Sequence, residues 1–193
     1  MAYQVRPLDA STWAAYAAFA EKHNGVWGGC WCTWFHRTPE ELPKMRGRGR
    51  DYKEDRVRCG TTHAALVLDG ETVIAWAQYG PPEELPNIHH RKEYLATVGQ
   101  LPDYRITCLF VDRDHRREGI ARRAVEGALA LVAAAGGGVV EAYPHDLPEG
   151  TKKNASFLYN ATRSMYEKLG FTYDRPKGQG NCVMRRVVAP VPQ

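Results

Sequence analysis

Apolar and polar positions follow two rhythms along this chain, and the rhythms place most of its elements. Trp13, Tyr16, Ala17 and Ala20 recur at spacings of three and four, so a helix is predicted to run to about His23, capped by Asp9 or Ser11. Tyr3 to Val5 precedes it as a short strand. Ile120, Ala124, Ala128, Leu131 and Ala135 mark one face of a second helix, Arg117 to Ala135, with Arg122, Arg123 and Glu126 turned away from it. Gly136 to Gly138 ends that helix. A third helix is predicted from Asn154 or Ser156 to Leu169, stopped by Gly170.

Continuous apolar runs read as strands. His63 to Leu68 and Glu71 to Tyr79 flank Asp69-Gly70, a strong hairpin signal because both turn residues then take positive φ. Tyr104 to Val111 is almost wholly apolar, as a strand buried on both faces should be. Val139 to Tyr143, Phe171 to Tyr173 and Asn181 to Val187 complete the set. Between these elements, 24–36 is rich in Gly, Trp and Cys without a period, and Pro39 to Gly49 is a basic loop. Asp51 to Cys59 is a short polar helix. Gly80 to Pro102 is a long connection carrying Pro81, Pro82, Pro86 and Pro102, with a short helix near Arg91 to Thr97. Long ordered connections of this kind are often functional. The order predicts an α/β (α+β) fold with a mixed sheet, in which a βαβ crossover makes one parallel pair.

Chemistry concentrates in Cys108 to Ala121, CLFVDRDHRREGIA. A buried strand ends at Val111, a polar turn follows, and Arg116-Arg117-Glu118-Gly119-Ile120-Ala121 opens a long helix. The first turn of a helix presents unpaired N–H groups and the positive end of the dipole. Gly119 and Ala121 are small enough to let a phosphate approach that backbone. Arg113, Arg116, Arg117, Arg122 and Arg123 add positive charge. The spacing is neither G-x-G-x-x-G nor G-x-x-x-x-G-K-[ST], which disfavours a Rossmann domain and an NTPase.

Arg116-x-x-Gly119-x-Ala121, after a strand ending Phe110-Val111, resembles the acyl-CoA-binding motif of the GNAT family of N-acetyltransferases. Tyr166-Glu-Lys-Leu169-Gly170-Phe171 resembles the end of that family's later helix. The resemblance covers Tyr104 to Arg186. It implies one domain over 1–193, with a variable acceptor half (1–103) and an acyl-CoA half (104–187), and a central parallel strand pair that splays apart. It implies acetyl-CoA as acyl donor and transfer to an amine by direct attack in a ternary complex. Backbone groups of Leu109, Phe110 and Val111 would pair with the pantetheine arm. Amides of Arg116, Arg117, Glu118, Gly119, Ile120 and Ala121 would hold the pyrophosphate. Tyr166 takes the position that in many members protonates the departing thiolate. Tyr159 stands where many members carry an Asn, and is assigned to the pocket instead. On a helix, residues seven apart share a face, so Tyr159 and Tyr166 would look the same way.

Attack needs a neutral amine, and a free alkylammonium has a pKa of about 10.4, so a base is required. Glu141, on the strand beside the slot, is the first candidate, followed by His145 and Asp146. Trp31 and Trp34, from the Trp/Cys-rich stretch, are candidate walls of the acceptor pocket, because aromatic faces suit amines. No metal is assigned, since Cys30-Trp-Cys32 offers only two of the four ligands zinc usually takes.

The remaining bulk properties narrow the class. A net charge of +4 does not argue for nucleic acid, and acids soon follow the basic run Lys44 to Arg50. No run approaches the roughly 20 apolar residues of a membrane helix, and the N-terminus lacks a signal-type apolar core. Five scattered cysteines fit a reduced, cytoplasmic protein, with Cys108 read as core rather than nucleophile. A small-molecule amine is preferred to a protein substrate, with no nucleic-acid or membrane partner, and the resemblance makes a homodimer the assembly to test. The competing readings are a non-catalytic acyl-CoA sensor of the same fold and a nucleic-acid-associated regulator using Lys44 to Arg58.

Overall fold

The computed structural model of the protein describes residues 3–38, 40–41, 47–147 and 159–192. Its strands are β1 (Gln4–Pro7), β2 (His63–Asp69), β3 (Thr72–Gly80), β4 (Tyr104–Val111), β5 (Gly138–Ala142), β6 (Thr172–Lys177) and β7 (Asn181–Val188). They form one sheet in the order β1-β2-β3-β4-β5-β7-β6. Every neighbouring pair is antiparallel except β4 and β5. The helices are α1 (Trp13–Lys22), α2 (Gly49–Arg58), α3 (Arg91–Thr97), α4 (Ile120–Ala134) and α5 (Arg163–Glu167).

Both faces of the sheet are covered, which is why its central strands read as unbroken apolar runs. On one face, Ala124, Ala128 and Val132 of α4 pack with Ala65, Val67, Ala75 and Ala77. On the other, α1 and the 24–35 segment pack on Leu66, Leu68, Trp76 and Cys108. The β2–β3 turn closes one residue later than the dipeptide suggested. Asp69 pairs with Thr72, so Gly70 and Glu71 form the loop, and of Asp69 and Gly70 only Gly70 takes positive φ.

The parallel pair is short. β4 and β5 are in register only at Tyr104–Val140, Arg105–Glu141 and Ile106–Ala142, after which they diverge. A bulge at the same point leaves Thr107 between the pairs Gln78–Cys108 and Tyr79–Ile106, and a bulge bends its strand. Residues 159–163 enter the resulting slot. Leu109 N–H donates to the Tyr159 carbonyl at 2.7 Å, and His145 N–H to the Ala161 carbonyl at 3.1 Å.

Two helix predictions need correction. The helix after β4 begins at Ile120 rather than Arg117, because Arg117 and Gly119 both take positive φ and hold the preceding residues out of helical register. The predicted last helix reaches back only to Arg163. Ala161 at φ 55° and the extended Thr162 break it, so Tyr159 and Tyr166 do not share a helix face. Its predicted starts, Asn154 and Ser156, lie outside the described residues, as does much of the basic loop.

Candidate active site

Two cavities meet at the outer half of β4. The first, about 740 Å³, is walled by Leu109, Phe110 and Val111 of β4 and by Arg116, Arg117, Gly119, Ile120 and Ala121. The loop between them is shaped by Asp112. Its carboxylate accepts from Asp114 N–H at 3.1 Å and from the Lys22 ammonium at 2.6 Å, while Asp112 N–H donates to the Ile74 carbonyl. The chain then turns through Arg117 (φ 68°) and Gly119 (φ 77°) into α4. A Cβ on Gly119 would meet no atom within 4 Å, so backbone conformation rather than packing calls for glycine here. The first-turn amides of α4 therefore open onto the cavity with arginines around them, an arrangement that can hold a diphosphate. Of the residues expected there, only Glu118 is not a wall. Its carboxylate accepts from the Tyr3 hydroxyl at 3.1 Å.

The second cavity, about 400 Å³, is lined by Trp27, Cys30, Cys32, Trp34, Phe35, His89, Cys108 and Tyr159. Trp27 belongs to both cavities, and Cys108 and Leu109 are consecutive on β4, so a chain lying in the first cavity leads into the second. The segment before the 3₁₀ turn Trp34–His36 folds tightly. Positive φ recurs from Asn24 to Cys32, and a Cβ on Gly25 would lie 2.5 Å from Trp31 Nε1. Two bonds of Asn87 fasten the β3–α3 connection to this turn beside His89, from its Nδ2 to the Trp34 carbonyl at 3.0 Å and from its N–H to the Phe35 carbonyl at 3.1 Å. They bring His89 face to face with Trp34, ring centroids 4.2 Å apart. His89 Nε2 lies 2.9 Å from the Tyr159 hydroxyl.

The second cavity is lined mainly by apolar and aromatic groups, with cationic side chains nearby. Partial desolvation of His89, whose side chain still reaches solvent, pushes its imidazole below its ordinary pKa, and Lys177, His90 and His145 push it further the same way. Burial raises the Tyr159 phenol. The Cys32 thiol donates to Cys108, which lowers the proton affinity of Cys108. No carboxylate lines the cavity among the described residues.

Several sequence expectations are corrected by position. Trp31 is 7% exposed and packs against Trp13 and Tyr16 in the core, so the tryptophan walls are Trp27 and Trp34. Glu141 is fully buried under α3, where its Oε2 accepts from the Tyr94 hydroxyl at 2.7 Å and the Tyr143 hydroxyl at 3.0 Å. Arg185 lies 3.4 Å from its other oxygen. It lines neither cavity, because its position on β5 faces away from the slot into this cluster. Tyr166 is 1% exposed, edge-on to Phe171, in the core cluster that also holds Leu109, Ile120 and Ala161 of the first cavity's wall. Leu109 does border the slot, but its N–H is committed to Tyr159 rather than vacant. Asp146 pairs with Arg163 at 3.4 Å, and His145 stands edge-on to the Tyr159 ring. His89 escaped sequence reasoning. Its only signal was its place in a long proline-rich connection.

The comparisons with known proteins agree with this geometry. The family model described as "Acetyltransferase (GNAT) domain" matches residues 66–173, more than half of the chain. No curated protein sequence matches. Among solved structures, a GNAT-family acetyltransferase from Desulfovibrio desulfuricans is similar, with a TM-score of 0.54 and 18% identity over 97% of this chain and 100% of that one. The aminoglycoside 6′-N-acetyltransferase of Enterococcus faecium has a TM-score of 0.54 and 16% identity over 98% and 99%. A PaiA N-acetyltransferase from Thermoplasma acidophilum, solved with coenzyme A, has a TM-score of 0.51 and 12% identity over 97% and 99%. At such identities the likeness to these structures is one of fold. The mixed sheet, the splayed β4–β5 pair and the family match together make this chain a member of the GNAT acetyltransferase family.

Proposed function

We propose that the protein transfers an acetyl group from acetyl-CoA to the amine of a small, aromatic or largely apolar molecule. The observation that carries this reading is the junction of the two cavities at β4. One ends on a helix N-terminus fit for a diphosphate. The other is an aromatic chamber of a size suited to a small ligand.

In this reading the diphosphate of acetyl-CoA rests on the amides from Arg116 to Ala121. The pantetheine arm follows Phe110 and Val111, and the thioester reaches the chamber beside Cys108. A small acceptor is preferred over a protein because the chamber is walled by Trp27, Trp34, Phe35 and Tyr159. A polycation is disfavoured, because no carboxylate lines the chamber among the described residues. Lys53 and Lys177 add positive charge near its thiols and its imidazole. The amine attacks the thioester carbon, the C–S bond breaks, and CoA leaves as a thiolate.

Tyr166 lines neither cavity but packs behind Leu109, Ile120 and Ala161 of the first cavity's wall, and from there a narrower role than proton donation is proposed for it. Burial holds its phenol above the ordinary tyrosine range, whereas a thiol of the CoA type titrates at about 8.5. Proton transfer from phenol to thiolate therefore runs uphill, and Tyr166 would stabilise the thiolate by a hydrogen bond.

The second reading, a non-catalytic acyl-CoA sensor, is favoured by one observation: a carbonyl of the protein itself already occupies Leu109 N–H. The test is thiol release from acetyl-CoA with a panel of arylamines, aralkylamines, amino acids, polyamines and aminoglycosides. The proposal predicts turnover concentrated among the aryl and aralkyl amines. Turnover confined to polycations would contradict the acceptor class, and none with any amine would leave only the sensor reading.

A further inference from the structure

Resting on the acetyltransferase reading, we infer that Tyr159 and His89 form a proton relay that takes the proton from the attacking amine. Tyr159 Oη receives it while the tyrosine's own proton passes to His89 Nε2.

The geometry provides each part of such a relay. Both side chains line the acceptor chamber, and they are joined at 2.9 Å. Each is held from behind. The His89 ring lies flat on Trp34, and the Lys177 ammonium donates to the His89 carbonyl. The Tyr159 carbonyl accepts from Leu109 N–H, which fixes that residue at the slot where a thioester would end. A general base has to meet the proton it removes, directly or through one intermediary. Tyr159 is that intermediary, since its hydroxyl both accepts and donates.

Relative basicity decides which proton the relay moves. An imidazole with an ordinary pKa of about 6.5 draws a proton from an alkylammonium at about 10.4 only against an equilibrium of about ten-thousandfold. The amine therefore enters the apolar chamber neutral. Its nitrogen becomes strongly acidic once bonded to the thioester carbon. The N–C bond forms, the adduct nitrogen gives its proton to Tyr159 as Tyr159 gives its own to His89, and the C–S bond breaks. His89 then releases the proton to water and the thiolate takes one from water, so one amine and one thioester yield one amide and one thiol.

The groups facing His89 make it a base that stays uncharged near neutrality. Partial desolvation, Lys177, His90 and His145 all lower its proton affinity, and no carboxylate is among the causes of its shift. The relay works only with His89 neutral. The rate should therefore fall as pH drops through a pKa below the ordinary imidazole value, and be flat above it for an amine that is already neutral.

The experiment measures kcat/KM against pH with acetyl-CoA and two amines, aniline and 2-phenylethylamine, for wild type, His89→Gln and Tyr159→Phe. Acetyl-CoA affinity is measured in parallel by thermal shift. The relay predicts a loss of about a hundredfold in kcat/KM for both variants. It also predicts disappearance of the acidic limb with aniline, and acetyl-CoA shifts equal to wild type. Tyr159→Phe keeps the ring and so serves as the folded control. Variants that lose rate but keep the wild-type limb would assign the pair a packing role and overturn the relay alone. A wild type inactive with the whole amine panel would overturn the relay together with the acetyltransferase reading.

Discussion

The groove at the start of α4 and the chamber beside it are built to recognise the proposed ligands by different means. In the groove, recognition falls on the backbone: two positive-φ residues, Arg117 and Gly119, and the first-turn amides that follow them. All of it comes from one stretch of sequence. In the chamber, recognition falls on side chains from four separate stretches: Trp27 to Phe35, His89, Cys108 and Tyr159. A backbone site is tied to a local pattern of small residues and tolerates changes elsewhere. A side-chain site depends on loops that the fold brings together, and those loops are free to differ with the acceptor. Substitutions can separate the two.

The largest expected effect belongs to neither region. Glu141→Gln should leave the Tyr94 and Tyr143 hydroxyls and Arg185 without their buried anion, lowering stability in chemical denaturation by about 3 kcal/mol. The pH profile of transfer should keep its shape, because this carboxylate lines neither cavity. A vanished acidic limb would restore Glu141 as the base.

Next is Gly119→Val. A β-branched residue at φ 77° is strained, and relieving the strain would shift the first-turn amides that follow. Affinity for acetyl-CoA in calorimetry should drop at least about tenfold, or about 1.4 kcal/mol. Every amine should be affected equally. Amine-dependent losses would mean that the groove and the chamber are not separable.

The mirror experiment, Trp34→Ala, removes the surface on which His89 rests and one wall of the chamber. The KM for the amine should rise several-fold while acetyl-CoA affinity stays at the wild-type value. A matching loss of acetyl-CoA affinity would show that the tryptophan braces the cofactor groove.

The same contrast explains what the sequence made legible. Apolar patterning located α1, β4 and β7 to within a residue or two, because each buries a continuous apolar face. The cavity wall from Arg116 to Ala121 could be read because positive-φ and small residues stand next to one another in the sequence. The chamber could not. Trp31 and Trp34 look alike in sequence, and only the tight turn from Asn24 to Cys32 sends one into the core and leaves the other at the wall. Glu141 looked available because alternation along a strand gives a face but not the helix that covers it. His89 reaches the site through two bonds of Asn87 to a turn some fifty residues earlier, a contact without local trace. The break at Ala161 likewise follows from long-range pairing of Tyr159 with β4, and it separates two tyrosines that a continuous helix would have aligned.

The central claim is that the groove at α4 binds acetyl-CoA, and thermal unfolding tests it directly. The protein is melted alone and with acetyl-CoA, CoA or ATP. A ligand at 100 times its dissociation constant adds about 2.7 kcal/mol, equivalent to several degrees for a domain of this size. The account predicts a clear upward shift with acetyl-CoA and CoA, and none with ATP. No shift at millimolar acetyl-CoA, or an equal shift with ATP, would contradict it.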